Sequence, residues 1–151
     1  MILLVQRTKQ ANSYLNIVKI MQRIFFISLT AFLSFSSYAQ KIDTHHINPD
    51  STTYPNVYVK TLAQDTLQST FIIWIKNTVQ PHYHASHTEV VEILSGKGRM
   101  TLNGKTFIVH KNDIIIIPKG SVHSVTNLHH RPLKVLSIQA PRFDGDRVYI
   151  K

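Results

Sequence analysis

Residues 89–127 read EVVEILSGKGRMTLNGKTFIVHKNDIIIIPKGSVHSVTN, and this stretch decides the fold class. Short apolar and β-branched runs alternate with turn signals along its whole length. Glu89 to Leu94 reads as a strand with Glu89, Val91 and Ile93 on one face. Gly96-Lys97-Gly98 ends it in a turn. Arg99 to Leu102 and Lys105 to Val109 flank Asn103-Gly104, the strongest short signal for a hairpin. His110-Lys111-Asn112 turns the chain again, and Asp113 to Ile117 is a strand with four consecutive isoleucines. Pro118-Lys119-Gly120 then makes a sharp corner, because proline fixes φ and glycine permits φ > 0. Val122 to Asn127 completes the stretch as a strand.

The same grammar extends outward. Downstream, Leu128 to Pro132 separates Val122–Asn127 from a last strand, Leu133 to Gln139. Upstream, Thr70 to Val79 reads as one strong strand, with Phe71, Ile73 and Ile75 on one face and Ile72 and Trp74 on the other. Both faces are apolar at its centre, which suits a strand between two layers, and Gln80-Pro81 ends it. Val57 to Leu62 can form a first strand, and polar Lys41 to Asn56, with Pro49 and Pro55, reads as a lead-in. No convincing helix and no fixed repeat follow Gln40. The expectation is one all-β domain, a sandwich or barrel.

Residues 1–39 read differently. Met21-Gln22-Arg23 precedes an apolar run, Ile24 to Phe35, and small and polar residues follow it up to Gln40. A basic start, an apolar centre and small residues at Ser37 and Ala39 outline a secretory signal cut after Ala39. The run is shorter than the roughly 20 apolar residues of a comfortable membrane span. No cysteine follows it, so a lipid anchor of the lipoprotein type is excluded. Met21 is a second candidate start of translation. The expected organisation is a signal region over 1–39, an N-terminal arm over 40–56 and a barrel over 57–151, in a protein that is periplasmic or secreted.

The chain of 151 residues is 43% hydrophobic, enough for one core but not comfortably for two. Its formal charge of +9 invites a nucleic-acid reading, but the distribution argues against it. Arg7, Lys9, Lys19 and Arg23 lie in the leader, where there is no acidic residue, leaving thirteen basic against eight acidic residues after it. Those thirteen are scattered singly, with no stripe of interleaved aromatics. The complete absence of cysteine removes disulfides and thiolate ligands, so any metal must be held by nitrogen and oxygen.

His82-Tyr83-His84 supplies such ligands. In extended chain, residues i and i+2 point to one face roughly 6.5 Å apart, so both rings can converge on one ion. Glu89 could add a carboxylate from an adjoining strand, and His123 follows the Pro118–Gly120 corner, where a strand could return beside the others. Three imidazoles and one carboxylate suit Mn, Fe, Ni, Co or Zn, and leave an octahedral ion two open positions. His87 reads as an exposed loop residue, and His45-His46 and His129-His130 as surface pairs. Tyr83 should face away from its neighbours, Trp74 should be buried, and Glu92 falls on the face opposite Glu89.

The spacing of these residues resembles the cupin superfamily. His82-x-His84, four residues, Glu89, six residues and Gly96 match its first motif. Asn112, five residues, Pro118-x-Gly120, two residues, His123, three residues and Asn127 match its second, with Asn112 where cupins usually have glycine. Asparagine is the next most tolerant of a left-handed turn. The resemblance covers roughly Val57 to Arg142 and implies a jelly-roll-like β-barrel. It implies one divalent metal ion held by His82, His84, Glu89 and His123, with Gly96, Pro118, Gly120 and Asn127 making the fold. It implies a homodimer as the assembly, and a small-molecule partner. Three functional readings stand open: a metal-dependent enzyme of dioxygenase, isomerase, decarboxylase or lyase type, a non-catalytic module binding a sugar or carboxylate, and a metal-free structural barrel.

Overall fold

A computed structural model of the chain describes residues 15–25 and 40–150. Residues 15–25 form a helix in a unit spanning Met1–Ile42, and Asp43–Lys151 forms a second unit. Most of the apolar run Ile24 to Phe35, and the expected cut after Ala39, lie outside the described residues. Among the described residues no helix is long and apolar enough to cross a membrane.

The second unit is built of antiparallel strands. They are β1 (Val57–Gln64), β2 (Ser69–Ile75), β3 (Thr78–His84), β4 (Thr88–Ser95) and β5 (Lys97–Leu102). After these come β6 (Lys105–His110), β7 (Ile114–Ile117), β8 (His123–Asn127), β9 (Leu133–Ala140) and β10 (Arg147–Tyr149). One sheet has the order β1-β2-β9-β4-β7 and the other β10-β3-β8-β5-β6. Side chains alternate across each strand, so each sheet turns one apolar face to a shared core. Phe71, Ile73, Ile75, Ile93, Ile115, Ile117, Leu133 and Val135 come to this core from the first sheet, and Met100 and Val109 from the second.

The expected hairpin forms with Asn103 at φ 48° and Gly104 at φ 79°. Asn112 sits at φ 73°, in the left-handed region that its side chain tolerates. Gly98 stands inside β5, where glycine is entropically unfavourable, because a side chain there would be crowded by its neighbours. A Cβ there would lie 3.0 Å from Leu133 Cδ2 and 3.1 Å from Val125 Cγ2.

The single strand expected over Thr70 to Val79 is two strands in different sheets. The chain bends at Lys76-Asn77, and Gln80-Pro81 lies within β3 rather than ending it. Two distant asparagines hold the bend. Asn56 accepts from the Asn77 N–H at 2.9 Å and donates to the Thr78 carbonyl at 2.7 Å, while Asn127 donates to the Lys76 carbonyl at 3.0 Å. These contacts join residues far apart in sequence, so local alternation carries no sign of them. Pro81 falls in the irregular stretch of β3–β8 pairing between Val79 and His82, where its missing N–H is tolerated.

The polar lead-in covers the outer face of β2. Trp74 is 5% exposed and packs against Tyr58, with Lys134 Nζ 5.4 Å from its ring. Lys134 donates to the carbonyls of Thr44 and Ile47, and Tyr58 donates to Asp50. Both faces of β2 are therefore buried, as its two apolar stripes require.

Candidate metal centre

β3 places His82 and His84 on its inner face, both 2% exposed, with Tyr83 half-buried on the other. β8 pairs with β3 so that His123 lies directly opposite His82, and their ring centroids are 4.2 Å apart. A ring nitrogen of each of His82, His84 and His123 lies within 4.8 Å of the others. Glu89 comes from β4 in the facing sheet, with Gln139 of β9 opposite it. Its Oε2 is 3.3 Å from His84 Nε2 and 3.4 Å from His123 Nε2. The structure thus brings all four residues of the sequence-derived set together from three strands and two sheets.

Their environment sets the chemistry of each. His82 Nδ1 is 2.8 Å from the Gln80 carbonyl and His123 Nδ1 is 3.0 Å from the Ser121 carbonyl. A carbonyl only accepts, so each ring carries its proton on Nδ1 and frees Nε2 as a ligand. Burial lowers the pKa of His82 from 6.5 to about 4, and its histidine neighbours add to this, so at neutral pH the ring is uncharged. Burial opposes the charge on Glu89. The facing His123 and His84 nitrogens, when they carry a proton in the absence of an ion, and the hydroxyl of Ser137 outweigh it and hold the pKa well below the usual carboxylate range. Glu89 Oε1 accepts from Ser137 and, at 3.1 Å, from Gln139 Nε2, which leaves Oε2 for the centre.

A divalent cation fits this donor set. His84 Nε2 is buried and has no hydrogen-bond partner, although Glu89 Oε2 is only 3.3 Å away. Two atoms each about 2.1 Å from one ion are separated by about 3.0 Å at a right angle and about 3.4 Å at a tetrahedral one. Crowded lone pairs with no hydrogen bond between them have that spacing.

His87 overturns its expectation of exposure. It is 1% exposed, its ring centroid is 4.0 Å from that of His84, and its Nδ1 is 2.9 Å from Asp146 Oδ1. The cause is the C-terminal segment, which returns as β10 to pair with β3 and closes over the 85–87 loop. Asp146 Oδ2 accepts from the Ser86 N–H at 2.7 Å and from its hydroxyl at 2.6 Å. Neither Asp146 nor β10 entered the sequence reading. Asp144-Gly145-Asp146 before alternating Arg147, Val148 and Tyr149 is the turn-and-strand signal that could have found them. The other expectations hold: His45, His46, His129 and His130 are exposed.

Asp146 also takes the position behind His84 that carbonyls take behind the other two imidazoles. Its Oδ1 is 3.6 Å from His84 Nδ1. Burial disfavours its charge, but Ser86 and the neighbouring histidines outweigh this and keep its pKa below the usual value. At that distance no hydrogen bond forms to His84, and the ionised carboxylate acts through its charge, favouring a cation on the other side of the ring. Asp146→Asn should therefore weaken zinc binding by about 10–100-fold with the far-ultraviolet circular dichroism unchanged. Isothermal titration calorimetry checks the affinity.

Acid should destabilise the metal-free barrel. With the His82 pKa depressed from 6.5 to about 4, the unfolded chain takes up its proton first as the pH falls. Stability is present above 6.5 and is lost progressively toward 4, by about 3 kcal/mol from this residue. Thermal unfolding between pH 7.5 and 4 should show this slope, and His82→Gln should flatten it.

Beside the centre lies a cavity of about 210 Å³ between the sheets. His82, Glu89 and His123 face into it, with Arg147 and Tyr149, and aliphatic side chains such as Ile73, Val91 and Leu133 form most of its wall. His84 stands outside this lining.

Known proteins are similar to this chain in sequence and in fold. The family model described as Cupin domain matches residues 70–139. An uncharacterized protein of Methanocaldococcus jannaschii is 33% identical over 93 residues, which are 62% of this chain and 72% of that protein. An uncharacterized protein of Aquifex aeolicus is 38% identical over 77 residues, 51% of this chain, and the match spans 63% of that relative's length. The structure of KdgF from Halomonas sp. superposes with a TM-score of 0.61 at 17% identity, covering 71% of this chain and 97% of that one. At that identity the likeness is one of fold.

Proposed function

The chain belongs to the cupin family, and from that premise we propose that it is a metal-dependent cupin that acts on a small molecule. The observation that carries this reading is the convergence of His82, His84, Glu89 and His123 at one side of a cavity between the sheets. These four would hold one divalent ion of the Mn, Fe, Ni, Co or Zn group. When bound, such an ion supplies a Lewis acid that polarises a carbonyl or hydroxyl, or activates water or dioxygen. The chain's own part is positioning. Backbone carbonyls fix the tautomers of His82 and His123, Ser137 and Gln139 fix Glu89, and the aliphatic wall keeps water from the ligand's apolar part.

The reaction class stays as broad as dioxygenase, isomerase, decarboxylase or lyase, since chemistry is decided by the cavity wall rather than the fold. One observation favours a second reading, a non-catalytic binding module. Apart from the proposed ligands, no carboxylate or histidine lines the cavity among the described residues. Elemental analysis of the untagged protein tests the shared premise, and about one bound transition metal per chain is the expected result. Less than a tenth of that after growth with added metal would overturn it. Turnover or oxygen uptake then supports the enzyme, and saturable binding without turnover the module. We further propose that the protein works outside the cytoplasm, on the strength of the leader over residues 21–39. Amino-terminal sequencing of the exported form should begin at Gln40.

A further inference from the structure

We propose that the cavity takes a small monocarboxylate with an apolar body, its anionic end held between Arg147 and the metal centre. The inference rests on the metal-binding reading above and adds the class of ligand.

Arg147 carries it. β10 sets Arg147 opposite His84 and Tyr149 opposite His82, so both residues run along the row of imidazoles, and both line the cavity. Arg147 Nε is shut away from solvent and meets no acceptor, and its side chain has no ion pair among the described residues. A buried guanidinium N–H without a partner is costly, and the geometry of the fork matches a carboxylate. Among the described residues none supplies such a partner: Glu89 is the one carboxylate among them that faces the cavity, and it is occupied by Ser137, Gln139 and the imidazoles.

Charge and shape point the same way. A divalent ion with one carboxylate ligand keeps a net positive charge, and Arg147 adds another, so the field in the cavity favours an anion. Ile73, Ile75, Val91, Ile93 and Val125 offer no hydrogen bonds along the wall. Asn56, Thr78, Gln80 and Ser124 also line the cavity, but most of its wall is aliphatic and suits a hydrocarbon body better than a fully hydroxylated one.

Isothermal titration calorimetry on the full chain tests this. Zinc is titrated first, then 4-methylpentanoate, 4-methylpentanamide and glucuronate are each titrated into the zinc-loaded protein. The acid should bind at least tenfold more tightly than the amide, and more tightly than glucuronate. Arg147→Met should abolish the preference for acid over amide while the unfolding temperature is kept. Arg147→Lys, which retains charge but loses the fork, should show a reduced preference and serves if the methionine variant fails to fold. Equal binding of acid and amide, tighter binding of glucuronate, or an unchanged preference in both variants would overturn the inference while the metal reading stands. Absence of zinc binding would instead remove the metal reading, and this inference with it.

Discussion

His84→Ala is expected to weaken zinc binding more than about 100-fold, beyond the range for loss of an outer partner, while leaving the metal-free barrel folded. The reason lies in what His84 does without an ion. Both ring nitrogens are buried, and neither has a hydrogen-bond partner. Removing a buried polar group that is already unsatisfied relieves a desolvation penalty, which offsets the packing lost with the ring. The variant should therefore unfold at the same temperature as the metal-free parent, or higher, and the stabilisation that zinc confers on the parent should vanish. Calorimetric titration and thermal unfolding with and without zinc measure the two effects. Unchanged zinc affinity would show that His84 is not a ligand.

Leu133→Ala should do the reverse, costing about 2–5 kcal/mol in stability while the affinity of the folded fraction for zinc changes little. Leu133 is 0% exposed, on a central strand of its sheet, and lines the cavity wall without offering a ligand atom. Its methyls also occupy the space that keeps Gly98 a glycine. Gly98→Ala alone should destabilise by about 1–3 kcal/mol through overpacking. In the double variant the new methyl enters the vacated space. Its loss should be smaller than the sum of the two single losses by at least about 0.5 kcal/mol, a coupling expected of residues in contact. Urea unfolding of the four proteins closes this cycle, and strict additivity would count against the packing described.

These two residues differ in how far the sequence announced them. His84 belongs to a spaced pattern, and its partners could be proposed because strand alternation puts i and i+2 on one face whatever the tertiary context. Leu133 could be placed in a strand, but nothing local distinguishes it from the other aliphatic residues of β9. The hairpin at Asn103-Gly104 and the left-handed turn at Asn112 were legible because backbone sterics act within a few residues.

Sequence alone thus determined the all-β class, the turns and the shared face of His82 and His84, all of which rest on local geometry, while Glu89 and His123 were proposed from motif spacing. Tertiary structure alone decided where β2 ends and β3 begins, because Asn56 and Asn127 grip that bend from distant positions. It also buried His87 and brought Asp146 and Arg147 to the site, through the return of β10 to pair with β3. Such contacts join residues tens of positions apart, and their energy comes from burial and pairing that exist only once the sheets have formed.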